Sequence, residues 1–186
     1  MSASRRKSSS AARRSSPQAK RGDALSLLRD DHKWVDDLFK KFEKLDEDDE
    51  GKAELVEQIC NELTVHAQIE EEVFYPAVRE AIGDDDLMDE AMVEHMSAKI
   101  VIAELREMQP GDELYDAKVT VLGEYIRHHV KEEQDEMFPK ARKARLDLKQ
   151  LGDELSSRKQ QMMGELGVGQ EVEAQAGKAA RRPRVA

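Results

Sequence analysis

Apolar residues recur at intervals of three and four through the middle of the chain, the spacing that gives a helix one buried stripe. The first stripe, Leu25, Leu28, His32, Val35, Phe39 and Phe42, predicts a helix starting at Asp23, a good N-cap after Gly22, and running to about Leu45, where "DEDDEG" breaks it. The second, Leu55, Ile59, Leu63, His66, Glu70 and Val73, predicts a helix over 52–82 ending at "GDDD". The third, Met88, Ala91, His95, Ala98, Ile102 and Leu105, predicts one over 86–108 ending at "QPGD". A fourth is expected over 112–145 and a shorter one over 146–166. Short connections make neighbours antiparallel, and four single-stripe helices bury those stripes against one another. The expected fold is therefore all-α, an antiparallel up-and-down four-helix bundle over residues 23–145 with a C-terminal helical extension over 146–166. Pro76 and Pro139 fall late in the second and fourth helices. Each lacks an amide donor, so a kink is expected at both.

Histidines interrupt three of the apolar stripes, and they are part of a hidden repeat. His32 and His95, His66 and His129, Glu70 and Glu133, and Pro76 and Pro139 are all separated by 63 residues. "HAQIEEEVFYP" thus returns as "HVKEEQDEMFP". Each half supplies one histidine from its first helix and a His-x-x-x-Glu pair from its second. The offset also separates two neighbouring histidines. His129 aligns with His66 and is assigned inward, whereas His128 aligns with Val65 and is assigned to a flanking position.

His and Glu four apart lie on one helix face, about 6 Å apart along the axis, close enough to share an ion. Two such halves place His32, His66, His95, His129, Glu70 and Glu133 around the bundle axis. The set suits two metal ions, with two nitrogens each and both carboxylates able to bridge. Burying these groups unpartnered would cost several kcal/mol each. Mixed imidazole and carboxylate ligation suits iron, manganese or zinc. Other metal motifs are missing. No Glu-x-x-His occurs, the residues three before the histidines being Arg29, Leu63, Met92, Tyr125 and Ile126. No His-Glu-x-x-His occurs either, and one cysteine is too few for a cysteine-based site. Around the six candidates, Trp34, Tyr75 and Tyr125 are expected to pack in the core, with a hydrogen bond to a ligand or a redox relay as the sharper alternative. Asp31 and Glu94, in equivalent positions, are expected to be solvated, with orientation of an imidazole as the alternative. Glu71 and Glu132 are expected on the helix surface.

Composition changes this picture mainly at the ends. The chain has 186 residues and a formal net charge of −10. Residues 1–22 hold seven Lys/Arg and no acid, whereas residues 23–164 hold 37 acids against 19 bases, a net of −18. Nucleic-acid binding by the core is therefore electrostatically opposed. The basic N-terminal tail, 1–22, reads as low-complexity and disordered, as does 167–186. The basic tail is expected to solubilise; contact with nucleic acid, an acidic surface or its own core, or service as a transit peptide, are the other readings. Cys60 lies in an apolar helical run and reads as a small buried hydrophobe. No run reaches the ~18 apolar residues of a membrane span, and no apolar segment suggests a secretory signal, so a cytoplasmic protein is expected.

The combination of "DDHKWVDDLF", "HAQIEEEVFYP", "EHMSAKIVIAEL" and "HHVKEEQDEMFP" resembles the hemerythrin-like, or HHE cation-binding, family over residues 23–145, and "LGDELSSRKQQMMGEL" looks like an extension found in bacterial members. The resemblance implies a non-haem di-iron centre with an oxo or hydroxo bridge and reactivity toward dioxygen or peroxide. It makes His32, His66, His95 and His129 terminal ligands and Glu70 and Glu133 bridges. Oxygen-carrying members use a second histidine one turn from the third-helix ligand, and Ala91 and Lys99 stand at the two candidate positions here. That departure argues against reversible oxygen carriage and leaves a further position for a small ligand. The leading expectation is a di-iron protein that binds or senses dioxygen, peroxide or iron. A catalase-like or oxidase activity at the same centre is the second reading, and a bundle merely stabilised by metal is the third.

Overall fold

In the computed structural model the described residues are 22–46 and 50–166, and every regular element among them is helical. The expected disorder of the two tails concerns residues that lie, apart from Gly22, outside the described ones. Helix α1 spans Ala24–Phe42, α2 Lys52–Ile69, α3 Tyr75–Ile82, α4 Asp85–Arg106, α5 Tyr115–Glu132, α6 Phe138–Lys143 and α7 Leu148–Glu165. Asp23 caps α1 as expected, its carboxylate accepting from the Ser26 amide at 2.8 Å. Asp84 and Asp147 cap α4 and α7 in the same way.

The second and fourth expected helices each divide at the same point of the repeat. A π-helical turn over Glu70–Phe74 joins α2 to α3, and another over Glu133–Met137 joins α5 to α6. The Tyr75 amide donates to the Glu70 carbonyl, and the Phe138 amide to that of Glu133. The proline break thus takes the form of a widened turn, placed just before Pro76 and Pro139. Such single π turns favour functional sites. The fourth helix also begins three residues later than its pattern suggested, because Leu114 adopts a left-handed backbone, φ 70°.

α1, α2, α4 and α5 form the bundle, α1 packing on α2 and α5, and α4 on α2 and α5. Two apolar layers fill it. One contains Leu25, Leu28, Ile69, Phe74, Met88, Met137 and Phe138. The other contains Leu38, Phe39, Ile59, Cys60, Leu63, Ile102, Val119 and Leu122. His32 lies between Leu28 and Val35, and His95 between Ala91 and Ala98. The four buried histidines, Glu70 and Glu133 therefore form a band between the two layers. Helix α7 leans on α1 and α2 through Leu151 and Leu155. Gly152 permits a close approach: a Cβ there would lie 2.8 Å from the Ala24 amide nitrogen and the Gly22 carbonyl oxygen.

Candidate metal centre

All six residues expected at the centre are buried, none more than 6% exposed, and the structure brings them together. The four imidazoles turn Nε2 toward the two carboxylates. Glu70 presents Oε1 to His66 Nε2 at 3.3 Å and to His32 Nε2 at 3.9 Å, and Oε2 to His95 Nε2 at 3.4 Å. Glu133 presents Oε2 to His32 Nε2 at 3.2 Å and to His129 Nε2 at 3.7 Å. The potential ligand atoms fall into two groups, His32, His66, Glu70 and Glu133 in one, and Glu70, His95 and His129 in the other. Glu70 belongs to both.

Within this protein the inward atoms are poorly served. Both Glu70 oxygens, Glu133 Oε2, and the Nε2 atoms of His32 and His66 are buried without a hydrogen-bond partner. Orphans of this kind are costly, and a cation between them would satisfy carboxylate and imidazole together. The donor set of four nitrogens and two carboxylates fits a pair of borderline cations such as iron, manganese or zinc.

The outward nitrogens are held in a pattern that follows the 63-residue repeat. Glu71 accepts from His95 Nδ1 at 2.9 Å, while its repeat mate Gln134 contacts His32 Nδ1 at 3.1 Å. Glu94 pairs with His129 Nδ1 at 2.7 Å, while its mate Asp31 faces His66 Nδ1 at 3.7 Å. Each half thus orients histidines of the bundle from equivalent positions, and such outer contacts fix ring orientation and ligand basicity. Glu71 corrects the surface expectation. It is largely buried, and it is also gripped by Lys99 Nζ at 2.6 and 2.7 Å. Asp31 is 6% exposed and bound by Lys159 of α7, so solvation gives way to the orienting alternative.

Tyr75 packs in the core as expected, and it also makes the hydrogen bond to a candidate ligand that was the sharper alternative. Its hydroxyl donates to Glu133 Oε1 at 2.9 Å and lies 3.2 Å from His95 Nε2 and 3.4 Å from His129 Nε2. In a regular α-helix a residue five beyond Glu70 points about 140° away from it. The π turn brings Tyr75 back to the same face. Its repeat mate is Phe138, whose ring stacks 6.0 Å from that of His32 and offers no hydroxyl. The two halves therefore differ at one protic group. Trp34 instead donates to Glu62, and Tyr125 is half exposed.

Charge is distributed unevenly. Burial, then the charge of Glu133, pushes the Glu70 carboxyl well above the usual carboxylate range. Burial acts the same way on Glu133, but His129 and His32 overcome it and hold Glu133 below that range. Burial drives His66 down to about 4 against the pull of Asp31. Burial also opposes charge on His129, yet Glu133 and Glu94 raise it. In the metal-free centre these shifts favour the protonated forms of Glu70 and His129, with which metal ligation would compete.

The hemerythrin HHE cation-binding domain model matches residues 23–141, so the chain belongs to that family. A DNA nickase from Nostoc sp. is 30% identical over 112 residues, 60% of this chain but 31% of the relative, so the chain spans about a third of that protein's length. A crystal structure of a hemerythrin HHE cation-binding domain-containing protein from Mycobacterium kansasii superposes with a TM-score of 0.68 at 22% identity, covering 77% of this chain and 89% of that one, which supports the four-helix fold. The family and the buried His/Glu groups together define a metal-binding hemerythrin-like protein. No helix among the described residues is long and apolar enough to cross a membrane.

Proposed function

We propose that this protein holds two non-haem iron ions, bridged by Glu70 and Glu133, and binds or senses dioxygen or peroxide there. The observation that carries the reading is Glu70, whose two oxygens face histidines of the two ligand groups. His32 and His66 would hold one ion, and His95 and His129 the other. Bound iron would supply redox chemistry toward dioxygen or peroxide.

The surroundings fit a small ligand. A cavity of about 20 Å³ reaches His66, His95 and His129 and is otherwise walled mainly by Leu63, Ala67, Ala98, Ile102 and Ile126. That is room for one or two water-sized molecules, not for an organic substrate. Lys99 also lines it, at a position where oxygen carriers would offer a fifth imidazole, and its ammonium is tied to Glu71. Ala91, at the other position, has no donor. Reversible oxygen carriage is accordingly disfavoured. Tyr75 favours a second reading, catalase-like or oxidase chemistry, because its hydroxyl holds a proton at Glu133 beside two imidazoles.

Iron-loaded protein without a His tag separates these readings. Two irons per chain, with an optical spectrum that changes on exposure to dioxygen or peroxide without turnover, is the expected result. Sustained peroxide consumption supports the enzyme. A spectrum indifferent to both ligands refutes reactivity, and a chain without iron refutes the centre.

A further inference from the structure

Outside the buried centre, Glu94, His128 and Glu132 form another group of potential ligands, with one atom from each within 4.8 Å of the others. His128 Nε2 lies 3.3 Å from Glu132 Oε1 and 3.7 Å from Glu94 Oε1. His128 is 65% exposed at its side chain, so the group opens to solvent. It is a second His-x-x-x-Glu pair on α5, one residue out of step with His129 and Glu133.

The repeat supplies an independent comparison. Glu94 and Asp31 are mates, and each turns one oxygen toward a histidine of the buried centre. The other oxygen of Asp31 meets a cation, the Lys159 ammonium, at 2.5 Å. The other oxygen of Glu94 faces His128, and among the described residues no lysine or arginine pairs with Glu94 or Glu132. Helix α7 covers the first half and brings Lys159; the second half has two carboxylates and an imidazole at the corresponding place.

We propose that Glu94, His128 and Glu132 form an outer site for a divalent transition-metal ion, sharing Glu94 with the buried centre. One imidazole and two carboxylates suit zinc, manganese or ferrous iron, and water completes the coordination at an exposed site. Glu94 would use Oε1 for the outer ion while Oε2 keeps its hydrogen bond to His129 Nδ1. Occupancy of the outer site is then felt at the buried imidazole through one carboxylate.

Equilibrium dialysis of the full chain, without a His tag, against zinc tests this. His128→Ala should bind one zinc ion fewer per chain than wild type while retaining the buried ions, and Glu132→Gln should show the same loss. His128 is exposed, so the variant should melt with wild type when metal-free. Equal zinc content in wild type and His128→Ala overturns the proposal. Loss of the buried ions together with the outer one also overturns it, because His128 would then belong to the inner centre. The proposal concerns a difference of one ion. A wild type holding fewer than two buried ions would therefore refute the di-metal reading separately.

Discussion

Replacing Tyr75 by Phe gives the first half of the repeat the residue that the second half already carries. The ring and its packing are kept, and only a buried hydroxyl is removed. That hydroxyl donates to Glu133 Oε1 at 2.9 Å, and Glu133 is held ionised by His129 and His32. Hydrogen bonds to charged groups contribute about 1.5–3 kcal/mol, and truncation leaves the carboxylate oxygen buried with one partner fewer. In metal-free protein Tyr75→Phe should therefore cost about 2 kcal/mol, or roughly 4–8 °C in melting temperature for a chain of this size. In metal-loaded protein a cation also serves Glu133, so the loss should be about half as large. Thermal unfolding of both proteins, chelated and iron-loaded, gives the four melting temperatures needed. Metal should stabilise wild type, and stabilise the variant by more. A Tyr75→Phe protein as stable as wild type under chelation would refute the assigned hydrogen bond. A larger loss in the loaded form would instead place the hydroxyl's main partner on the metal side.

Other outcomes follow from the same geometry. His129→Ala should remove one terminal nitrogen and weaken iron binding at least about ten-fold, judged by the cost of even outer contacts, in a competition titration; unchanged affinity would refute the inward assignment. Gly152→Ala should destabilise by about 1–3 kcal/mol despite the better helix propensity of Ala, because its Cβ meets backbone atoms of Gly22 and Ala24 that cannot yield cheaply; a gain in melting temperature would refute that close contact. Burial pushes the Cys60 thiol up to about 11, so its thiolate is scarce at pH 8 and grows about ten-fold per pH unit up to that value. Folded protein should resist a thiol reagent at pH 8 and react on unfolding, and rapid native labelling at pH 8 would contradict the buried placement.

Much of this site was legible because two periodicities agree. The 3.6-residue stripe marked His32, His66 and His95 as inward, and the 63-residue offset chose His129 over His128, which the structure leaves 65% exposed. What escaped the pattern escaped for a geometric reason. Tyr75 and Phe138 lie five residues beyond Glu70 and Glu133, and a regular helix would point them elsewhere. The prolines signalled a disturbance, but not that it would widen a turn in place of a simple kink. Glu71 read as surface because its acidic neighbours resemble a solvated face. Its role depends on His95 and Lys99 of another helix, 24 and 28 residues away. The repeat did contain the missing sign: Glu71 is the mate of Gln134 as Asp31 is of Glu94, so both positions facing the outward nitrogens could have been paired in advance. Lys159 could not, since its contact with Asp31 spans 128 residues and depends on how α7 docks.

The central claim is that one carboxylate serves two ions, and Glu70→Ala tests it most directly. Iron per chain should be measured by elemental analysis in wild type and variant, both reconstituted anaerobically with ferrous iron and freed of loose metal. The account predicts two irons in wild type and loss of both in the variant, because Glu70 faces His32 and His66 through one oxygen and His95 through the other. A folded Glu70→Ala protein that retains two tightly bound irons would contradict it.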